Sequence, residues 1–425
     1  MPNLNLLNMD KRVVITGMGV VSCIGNDVKS FWDSLVNGRC GIDFISEFPT
    51  DRLEVKIGGK IRNFDPESYG IAKPFIRKQD PFTIYAMAAA IQAMDDSGLD
   101  ASEDNGNISP DRLATYMSSG MGGFQSIYQE CVKMNEDDSG QWISPNFVPT
   151  MIPNAAAGQI AMHFNAQGPS ICITAACATS THSIGEAYRL IRHSYADAAI
   201  AGGSEACTIP IGLASFANSR ALSRSDNPKY ASLPFNANRG GFVMADGAAV
   251  LILEEYEHAV RRGADIYAEI VGYGSTCDAF HITAPRPDAS TQARCISQAM
   301  AEAGFDPGKD SVYINAHGTG TRLNDSTETL AFKKAFGDFA GKLHISSTKS
   351  MHGHMLGGTG AAEAIATVLA LRNGTVPPTI NLDVPDPECD LDYTPCTAKK
   401  AELTLGLSDS FGFGGHNACI AIRKI

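Results

Sequence analysis

The chain has 425 residues, of which 44% are hydrophobic and 19% are charged, so it is large enough to bury more than one core. Its net charge of −12 comes without a basic stretch, which argues against a nucleic-acid partner. The eleven cysteines lack paired metal-site spacing, and neither a secretory signal nor an apolar run of about 18 residues is present. We therefore expect a cytoplasmic protein with no disulfide framework and no membrane span.

Residues 1–10 are predicted to form a loose N-terminal extension, and an apolar strand ending in Gly17-Met18-Gly19 follows. Ser22 occupies the place of the third glycine of a dinucleotide-binding fingerprint, so that site is not favoured. Strands and helices then alternate, which is typical of a layered α/β fold with buried sheets. The predicted strands lie at 12–19, 114–119, 170–174, 198–201, 248–253, 267–273, 312–316, 344–348 and 418–422, and the predicted helices lie at 26–36, 84–97, 156–164, 183–193, 255–262, 291–303, 325–336 and 361–373.

Two polar stretches, 130–140 and 223–239, are predicted to be surface excursions that cover a cleft. A division near 262–265 separates a first half, 11–264, from a second half, 265–425. The candidate nucleophile lies in the first half and the other candidate catalytic groups lie in the second.

Cys177 lies where the apolar run 170–174 turns into a string of small residues. Because only small side chains flank the sulfur, a substrate carbonyl could reach it. A helix is predicted over 178–190, and the positive end of its dipole favours the thiolate and hence a nucleophile. From position alone, a buried structural cysteine is an equally good interpretation.

Two histidines follow apolar strands in loops of glycine, serine and threonine. His317 belongs to Asn-Ala-His-Gly-Thr-Gly-Thr, in which the hydroxyls of Thr319 and Thr321 are candidates for binding a polar chain. His354 closes Thr-Lys-Ser-Met-His-Gly-His, which also carries Lys349. A lone histidine is more often structural, but a cysteine with two imidazoles and a lysine indicates an intermediate whose negative charge needs several donors.

Near the C-terminus, residues 408–417 alternate glycine and phenylalanine around Phe413. We predict a mobile gate here whose backbone N–H groups point into the site. A plain glycine-rich turn before the last strand is the alternative.

Together these four segments resemble the β-ketoacyl-[acyl-carrier-protein] synthases, the condensing enzymes of fatty-acid synthesis, and among them the synthase II type. The resemblance covers residues 11–425 and rests on Ala-Cys-Ala-Thr, Asn-Ala-His-Gly-Thr, Thr-Lys-Ser-Met-x-Gly-His and Gly-Phe-Gly-Gly. It implies an α/β thiolase fold, with five αβαβα layers built from two pseudo-symmetric halves, and a homodimer. It also implies an acyltransferase that joins malonyl-carrier protein to an acyl chain by decarboxylative Claisen condensation.

The resemblance also implies the catalytic roles. Cys177 would carry the acyl group as a thioester, and His317 and His354 would donate hydrogen bonds to the enolate oxygen. Lys349 would order the histidines electrostatically. Phe413 would act as a gatekeeper, and its backbone N–H would form an oxyanion hole with that of Cys177.

No metal ion and no resident cofactor is expected, because the phosphopantetheine would arrive on the acyl-carrier protein. Acidic positions of the family that brace the site match Asp325 and Glu363. The residues assigned to substrate binding are Thr319 and Thr321 for the phosphopantetheine arm, Met121 for the acyl pocket, and Gly414.

Four positions depart from the family pattern. Thr is common in place of His352 and His416, Ser in place of Gly320, and Pro in place of Arg322. The tuning of loop movement and partner preference therefore stays open, as does the acyl chain length.

The main alternative is a ketosynthase of a polyketide or other secondary pathway, which would use the same Cys-His-His chemistry on another substrate. A papain-like hydrolase fits less well, because its local cysteine signature is absent and His354 and Lys349 would have no role. A non-catalytic chain-length subunit usually lacks the nucleophile, whereas Cys177 is present.

An acidic carrier protein would need a basic patch on this acidic chain. Lys73, Arg77, Lys78 and Arg220 are the candidates for that patch. Ordinary solvated charges are an equally good interpretation of these four residues.

Overall fold

The computed structural model describes residues 10–425, so the predicted extension, except Asp10, lies outside the described residues. The strands are β1 (Val13–Val21), β2 (Asp43–Phe44), β3 (Ile57–Gly58), β4 (Leu113–Ser118), β5 (Ala198–Glu205), β6 (Gly247–Glu255), β7 (Ala268–Cys277), β8 (Val312–Asn315), β9 (His344–Ser346), β10 (Thr375–Val376), β11 (Lys399–Lys400), β12 (Leu405–Gly412) and β13 (His416–Arg423). The helices are α1 (Val28–Val36), α2 (Lys73–Ile76), α3 (Pro81–Ser97), α4 (Phe124–Glu136), α5 (Phe147–Met151), α6 (Ala155–His163), α7 (Thr179–Arg192), α8 (Pro210–Asn218), α9 (Tyr256–Arg262), α10 (Ser290–Ala303), α11 (Arg322–Phe336), α12 (Lys349–His352) and α13 (Thr359–Asn373).

The long strands form one nine-stranded sheet in the order β4-β5-β6-β1-β7-β13-β12-β8-β9. Strand β1 pairs with β6 along most of its length but with β7 only through Val13–Ile15. The sheet is therefore two smaller sheets joined at this corner, one from each half of the chain.

The two halves have the same topology. In the first, β4 is parallel to β5, and β5, β6 and β1 are then antiparallel in turn. In the second, β8 is parallel to β12, and β12, β13 and β7 are antiparallel in turn. The chain order β1-α3-β4-α6-α7-β5-β6 recurs as β7-α10-β8-α11-β9-α13-β12-β13, in which β9 is an additional strand. This repeat confirms the prediction of two pseudo-symmetric halves.

The helices complete five αβαβα layers. Helices α7 and α13 pack against each other and against strands of both halves. Helices α3 and α6 cover the outer face of the first half, and α10 and α11 cover the outer face of the second. Three large apolar clusters correspond to the three helical layers, with Ile184 and Ile365 in the central one. Each such buried side chain contributes roughly 1.5–3 kcal/mol, so the central layer anchors both halves.

Glycines in β1 and β7 set the close approach of the outer helices. A Cβ on Gly17 would lie 2.2 Å from the carbonyl oxygen of Ala93 in α3, and Gly19 is equally crowded. In the second half, a Cβ on Gly272 would lie 2.2 Å from the carbonyl oxygen of Ala299 in α10. The Gly-x-Gly of β1 therefore serves helix–sheet packing, which needs no dinucleotide.

All predicted helices have counterparts, but the strand predicted at 170–174 is wrong. Only Ser170 bridges to β4, at Thr115. Beyond it, the N–H of Ile173 donates to the hydroxyl of Ser118, 3.0 Å away, instead of to a backbone carbonyl. Side chains of β4 thus replace the ladder, and the segment runs extended beside the sheet edge.

The mobile loop predicted at 408–417 is wrong for residues 408–412, whereas the role of Phe413 as a gatekeeper stays a prediction. Residues 408–412 belong to β12, which pairs with both β8 and β13 and is buried. Only the turn Phe413–Gly415 interrupts the two strands. The polar stretch 130–140 is largely exposed, as predicted, and it is helical as far as Glu136, in α4. In the stretch 223–239, residues 231–236 and Arg239 are buried, so the surface excursion predicted there is wrong for that part.

No helix of the described residues combines the length and apolar character needed to cross a membrane.

Candidate active site

Cys177 lies in a tight turn, Ala176–Ala178, immediately before α7. Ala176 has a φ of +49°, a left-handed value that is uncommon for a residue with a side chain. Gly412 of β12 packs against this turn, so that a Cβ on it would lie 3.1 Å from the backbone nitrogen of Cys177. A strained turn among small residues therefore presents the sulfur to the cleft.

Three separate segments place their reactive side chains in one pocket. The sulfur of Cys177 and one ring nitrogen each from His317 and His354 all lie within 4.8 Å of one another. The two imidazole rings are 5.4 Å apart between centroids and cross at 81°. Because β8 and β9 are parallel neighbours, the loops after them bring both histidines to the same edge of the sheet.

Burial dominates the electrostatics of the thiol. It raises the pKa of Cys177 to about 11, although Lys349 and the backbone N–H of Phe413 act in the opposite direction. In the free protein, burial therefore outweighs the helix dipole that the sequence predicts to favour the thiolate. The thiol is protonated near neutral pH and needs a proton acceptor when it attacks.

Both histidines are neutral near neutral pH. Burial and the nearby Lys349 lower the pKa of His317 and of His354 well below the ordinary value. The Nδ1 of His354 is 2.9 Å from the hydroxyl of Thr359, while its Nε2 has no hydrogen-bond partner among the described residues. If Thr359 donates, the Nε2 of His354 carries the proton and is free to donate to a ligand.

Lys349 and Glu363 form a buried ion pair beside the histidines. The Nζ of Lys349 is 2.5 Å from an Oε1 of Glu363, and both side chains are almost fully enclosed. Burial raises the pKa of Glu363 to about 8, against the lowering effect of Lys349. The contact with Glu363 holds the amine of Lys349 in place beside both rings, where it lowers their pKa values without being exposed as a nucleophile.

Two buried carboxyl groups hold His317 and were not recognised from the sequence. The backbone N–H of His317 donates to Glu328 at 2.7 Å and to Asp409 at 2.8 Å. Burial and the mutual proximity of the two groups raise the pKa of Glu328 well above its ordinary value, and burial raises that of Asp409 to about 7. At neutral pH they therefore share a proton and act as acceptors that position the loop.

Glu205, at the end of β5, positions the loop around Met121 in the same way. This residue was also not recognised from the sequence. It accepts the backbone N–H groups of Gly120 at 2.9 Å, Met121 at 3.1 Å and Gly357 at 3.1 Å. One buried carboxylate thereby ties the first half of the chain to the loop after His354.

The pocket is a narrow cleft of about 70 Å³. Cys177 and Phe413 line it, and the ring centroid of Phe413 is 6.3 Å from that of Phe216. Thr319 and Thr321 also line the cleft, and their hydroxyls are 3.0 Å apart. A narrow, mostly apolar passage lined by a thiol and two hydroxyls suits a long, thin thioester.

One sulfur and two imidazoles also form a donor set that a zinc ion could use. The positive charge of Lys349 acts on all three groups. This charge would repel a divalent cation bound there. We therefore keep the interpretation of these groups as reacting and hydrogen-bonding side chains.

Comparison with known families agrees with this geometry. Residues 10–259 match the family described as "Beta-ketoacyl synthase, N-terminal domain", and residues 267–383 match "Beta-ketoacyl synthase, C-terminal domain". The chain belongs to the beta-ketoacyl synthase family. It is accordingly an acyltransferase of the condensing type.

Curated relatives of this synthase are similar over nearly their whole length. A 3-oxoacyl-[acyl-carrier-protein] synthase 2 from Staphylococcus aureus is 45% identical over 418 residues, covering 98% of this chain and 99% of the relative. An enzyme of the same name from a Synechocystis species is 45% identical over 416 residues, covering 97% of this chain and 98% of the relative.

Solved structures of ketosynthases share the fold. A type II polyketide ketosynthase in complex with its acyl-carrier protein superposes with a TM-score of 0.89 at 33% identity, covering 98% of this chain and 100% of that chain. A beta-ketoacyl synthase from Burkholderia phymatum gives the same TM-score and coverage at 32% identity. Together with the five layers, these likenesses confirm the thiolase fold of this synthase.

Three of the residues predicted to bind or support have the following surroundings in this synthase. The N–H of Gly414 donates to the carbonyl of Ile282 at 2.7 Å, and Gly414 is not among the residues lining the cleft. Met121 lies in the apolar cluster beside Phe413, outside the cleft lining. Asp325 braces the turn of the two threonines, since it accepts the N–H of Gly320 at 3.2 Å.

The departures from the family pattern have distinct structural settings. His352 is fully buried, with Nδ1 2.7 Å from the carbonyl of Gly353 and Nε2 3.0 Å from the hydroxyl of Thr348, so both nitrogens are engaged. Gly320 has a φ of +78°, which a serine would adopt only with strain. His416 begins β13 outside the cleft lining. None of the three adds a free imidazole to the reaction centre.

A pH titration of thiol reactivity tests the electrostatics. We expect alkylation of Cys177 by iodoacetamide to accelerate about tenfold per pH unit from about pH 7 to about pH 10, because the thiolate fraction grows until the pKa of about 11. Lys349→Met should slow alkylation throughout this range, because Lys349 lowers that pKa, whereas Lys342→Met at the surface should not. A rate plateau below about pH 8 would show that the helix dipole outweighs burial.

Proposed function

We propose that this synthase elongates acyl chains by two carbons, joining an acyl group on Cys177 to malonyl-acyl-carrier protein with loss of carbon dioxide. The convergence of one sulfur and two neutral imidazoles within 4.8 Å carries this proposal. A hydrolase needs one imidazole beside its nucleophile, whereas stabilising an enolate next to an acyl thioester uses two.

Acylation comes first. The protonated thiol of Cys177 loses its proton to a neutral imidazole as the sulfur attacks the incoming thioester. The N–H groups of Cys177 and Phe413 are donors for the tetrahedral oxyanion, and the N–H of Phe413 already acts on the sulfur. The carrier thiolate then leaves and takes up that proton.

Decarboxylation follows. The malonyl C–C bond breaks, carbon dioxide departs, and its electron pair forms an enolate whose oxygen accepts N–H groups from His317 and His354. Neutral imidazoles suit this task because they donate without delivering a full proton, which would quench the carbanion. The buried cation of Lys349 adds a fixed positive potential.

Condensation completes the cycle. The carbanion attacks the acyl carbonyl on Cys177, the carbon–sulfur bond breaks, and the 3-oxoacyl chain remains on the carrier protein. The same two N–H groups serve this second oxyanion, and the released thiolate takes up one proton from solvent, which a neighbouring imidazole can relay. Each step therefore uses the same small set of side chains.

The substrates would enter on the phosphopantetheine arm of an acyl-carrier protein, with Thr319 and Thr321 on the wall of the passage.

We further propose a homodimer. Extended residues 170–175 flank the edge strand β4, and Ile171 and Met162 expose apolar side chains there. Sedimentation at twice the 45.1 kDa chain mass is the expected result, and a monomer at working concentration would contradict it.

The basic patch for the carrier protein gives a further prediction. Arg77 and Lys78 are exposed just after α2, whereas Lys73 is paired with Glu67 at 3.3 Å. We expect Arg77→Glu with Lys78→Glu to raise KM for acyl-carrier protein about tenfold or more, because each reversal replaces attraction by repulsion.

Two controls accompany this variant. Acyl-pantetheine, which has no protein body, should show a much smaller change in KM. A double reversal of Lys309 and Lys342 on the outer face of the second half should leave KM for both substrates alone. Equal effects of Arg77→Glu with Lys78→Glu on both substrates would remove this patch from the docking surface.

The function itself is tested by a chain-length series. Acyl-carrier proteins of increasing length are mixed with malonyl-carrier protein, and the products are read by mass spectrometry. One 3-oxoacyl product, two carbons longer than its primer, supports the proposal. Repeated extension without reduction would favour the polyketide alternative, which the likeness to the polyketide ketosynthase makes worth testing. Free acid as the only product would refute both.

A further inference from the structure

Gln292 lies in the first turn of α10, lines the cleft and is fully buried. Among residues 10–425, neither its Oε1 nor its Nε2 has a hydrogen-bond partner. A buried carboxamide without hydrogen bonds destabilises the free protein, because the desolvation of both polar atoms is left uncompensated. In the wall of a cleft, a bound ligand can supply the missing partner.

The two catalytic histidines have the same property. The Nδ1 of His317 and the Nε2 of His354 are the other buried side-chain atoms of the cleft lining that lack a partner within residues 10–425. In the proposed mechanism these two side chains donate to the enolate oxygen of the malonyl group. Gln292 therefore shares with the substrate-contacting imidazoles a feature that the rest of the lining does not have.

The other two side-chain amides of the cleft wall already have partners. The Nδ2 of Asn324 donates to a carboxyl oxygen of Glu328 at 3.1 Å. The Nδ2 of Asn417 donates to a carboxyl oxygen of Asp278 at 2.7 Å. Gln292 is thus the amide of this wall whose two N–H hydrogens are both uncommitted.

The cleft offers no free cation to an anionic substrate. No lysine or arginine of residues 10–425 lines it, and the amine of Lys349 is buried against Glu363. The charged side chain in the lining is Asp278, whose second oxygen accepts the backbone N–H of Arg286 at 2.9 Å. An anionic group that enters this cleft must therefore be held by neutral donors.

The N-terminus of α10 adds a weak attraction for an anion. Helix α10 has 14 residues, and Ala289 at its N-cap provides no side-chain hydrogen bond. Uncapped N–H groups at the start of a helix carry a partial positive charge. Asp278 offsets part of this charge, because it accepts the hydroxyl of Thr291 in the same turn. An anion beside Gln292 is therefore attracted, but not strongly.

We propose that Gln292 donates a hydrogen bond to the carboxylate of the malonyl group before decarboxylation. This inference rests on the proposed function. With the thioester oxygen at the two imidazoles, the carboxylate is the other polar group at the reacting end of the substrate, and Gln292 is the amide left to receive it. The carboxylate accepts from the Nε2, and a water molecule donates to the Oε1.

A neutral donor suits this carboxylate. Decarboxylation moves negative charge from the carboxylate to the enolate oxygen, so a cation at the carboxylate would stabilise the reactant more than the transition state. A carboxamide orients the carboxylate with a weaker interaction than an ammonium or guanidinium group would make. The cation of Lys349 acts instead on the two imidazoles, where the charge arrives.

Two activities of the same protein test the proposal. Release of carbon dioxide from malonyl-carrier protein depends on the carboxylate, whereas transfer of a saturated acyl group from acyl-carrier protein to Cys177 does not. KM and kcat are determined for both activities in the wild type, Gln292→Met and Gln292→Leu. Both variants lack the N–H donor, and their different shapes separate its loss from a change in packing.

We expect both variants to raise KM for carbon dioxide release about tenfold, because a hydrogen bond to a charged group is lost. The kcat of this activity should change little, since the bond to the carboxylate weakens as carbon dioxide departs. Acylation of Cys177, which involves no carboxylate, should keep the wild-type KM. The unfolding temperature should not fall, because an unpaired buried amide has been removed.

Gln298→Met is the matched control. Gln298 belongs to the same helix, but it is exposed, lies outside the cleft lining and accepts the N–H of Ser275 at 3.1 Å. This substitution should leave KM for both activities unchanged. Gln292→Asn retains the amide on a shorter side chain, so its KM for carbon dioxide release should lie between those of the wild type and Gln292→Met.

An unchanged KM for carbon dioxide release in Gln292→Met and Gln292→Leu would overturn the proposal and would leave Gln292 as the partner of a water molecule only. An equal rise in KM for acylation would also overturn it, because Gln292 would then serve the shape of the cleft. Failure of the proposed function is a separate result: the wild type would then acylate Cys177 but release no carbon dioxide from malonyl-carrier protein.

Discussion

Cys177→Ala is expected to abolish both acylation and condensation, lowering turnover by a factor on the order of 10⁴ or more, as for loss of a nucleophile that acts in concert with its neighbours. Both the acylation and the condensation pass through the sulfur, and no other thiol of residues 10–425 lies within 4.8 Å of both imidazoles. The Cys177→Ala protein should fold normally, because the turn already contains alanine at positions 176 and 178. Intact mass after incubation with acyl-carrier protein measures the loss of the acyl adduct directly.

Cys172→Ala is the matched control. Cys172 lies five residues earlier on the same segment and is also half-buried, but it does not line the cleft. This variant should acylate and condense like the wild type. Peptide mapping of protein labelled with cerulenin should place the adduct on Cys177, and an adduct on any other of the eleven cysteines would contradict the assignment.

The layered fold was predictable because it follows from local pattern. Alternating apolar strands and amphipathic helices identify the layers whatever their order, and each predicted helix was found. Strand pairing is different, since it depends on partners far along the chain. Residues 170–174 have the composition of a strand, yet the hydroxyl of Ser118 in β4 takes the place of a backbone partner for Ile173.

Dependence on distant partners also explains why β12 was not predicted as a strand over residues 408–412. Its glycines and serines lack the apolar alternation that marks a strand, so residues 408–412 were interpreted as a loop. Pairing with β8 on one side and β13 on the other makes them a buried strand. Only a pseudo-symmetric comparison with β5, which occupies the equivalent place in the first half, would have suggested it.

Only those residues of the site that stand in recognisable sequence motifs could be predicted. Cys177, His317 and His354 stand in distinctive loops of small residues, and the structure brings them together. Glu328 and Asp409 carry no such signal, because a single acid in a sequence is normally assumed to be solvated. Their role follows from tertiary structure, which aims the backbone N–H of His317 at both.

The pKa of Cys177 depends on a local effect, the helix dipole, and on a tertiary effect, burial, and burial is the larger of the two. The helix dipole is a property of the sequence near Cys177 and is worth typically 0.3–1 kcal/mol. Enclosure by two halves of the chain is not visible locally, and it raises the pKa to about 11. Electrostatic expectations from sequence therefore hold for exposed groups and need a structure for enclosed ones.

The second large effect concerns the histidine pair. We expect His317→Ala and His354→Ala each to slow decarboxylation of malonyl-carrier protein by about 10²–10³-fold, because each removes one donor from the enolate oxygen. Some acylation of Cys177 should survive in each variant, since the remaining imidazole still accepts the proton. Release of carbon dioxide and intact mass measure the two steps separately.

The sign of the pH dependence follows from the same geometry. Both histidine pKa values are lowered, so the rings are neutral at neutral pH and become charged only in acid. Decarboxylation should therefore not fall as the pH drops through the ordinary histidine range, and should fail only in stronger acid. A loss centred on the ordinary histidine pKa would show that a solvated imidazole is responsible.

His354→Asn and His344→Ala complete the test. Asn retains an N–H donor, so His354→Asn should keep more decarboxylation than His354→Ala if donation is what matters. His344 begins β9 and is half-buried with a lowered pKa, but it lies outside the cleft, so His344→Ala should leave decarboxylation intact. If both alanine variants at the site decarboxylate normally, the enolate is held by other groups. The convergence of the two rings would then have to serve acyl transfer alone.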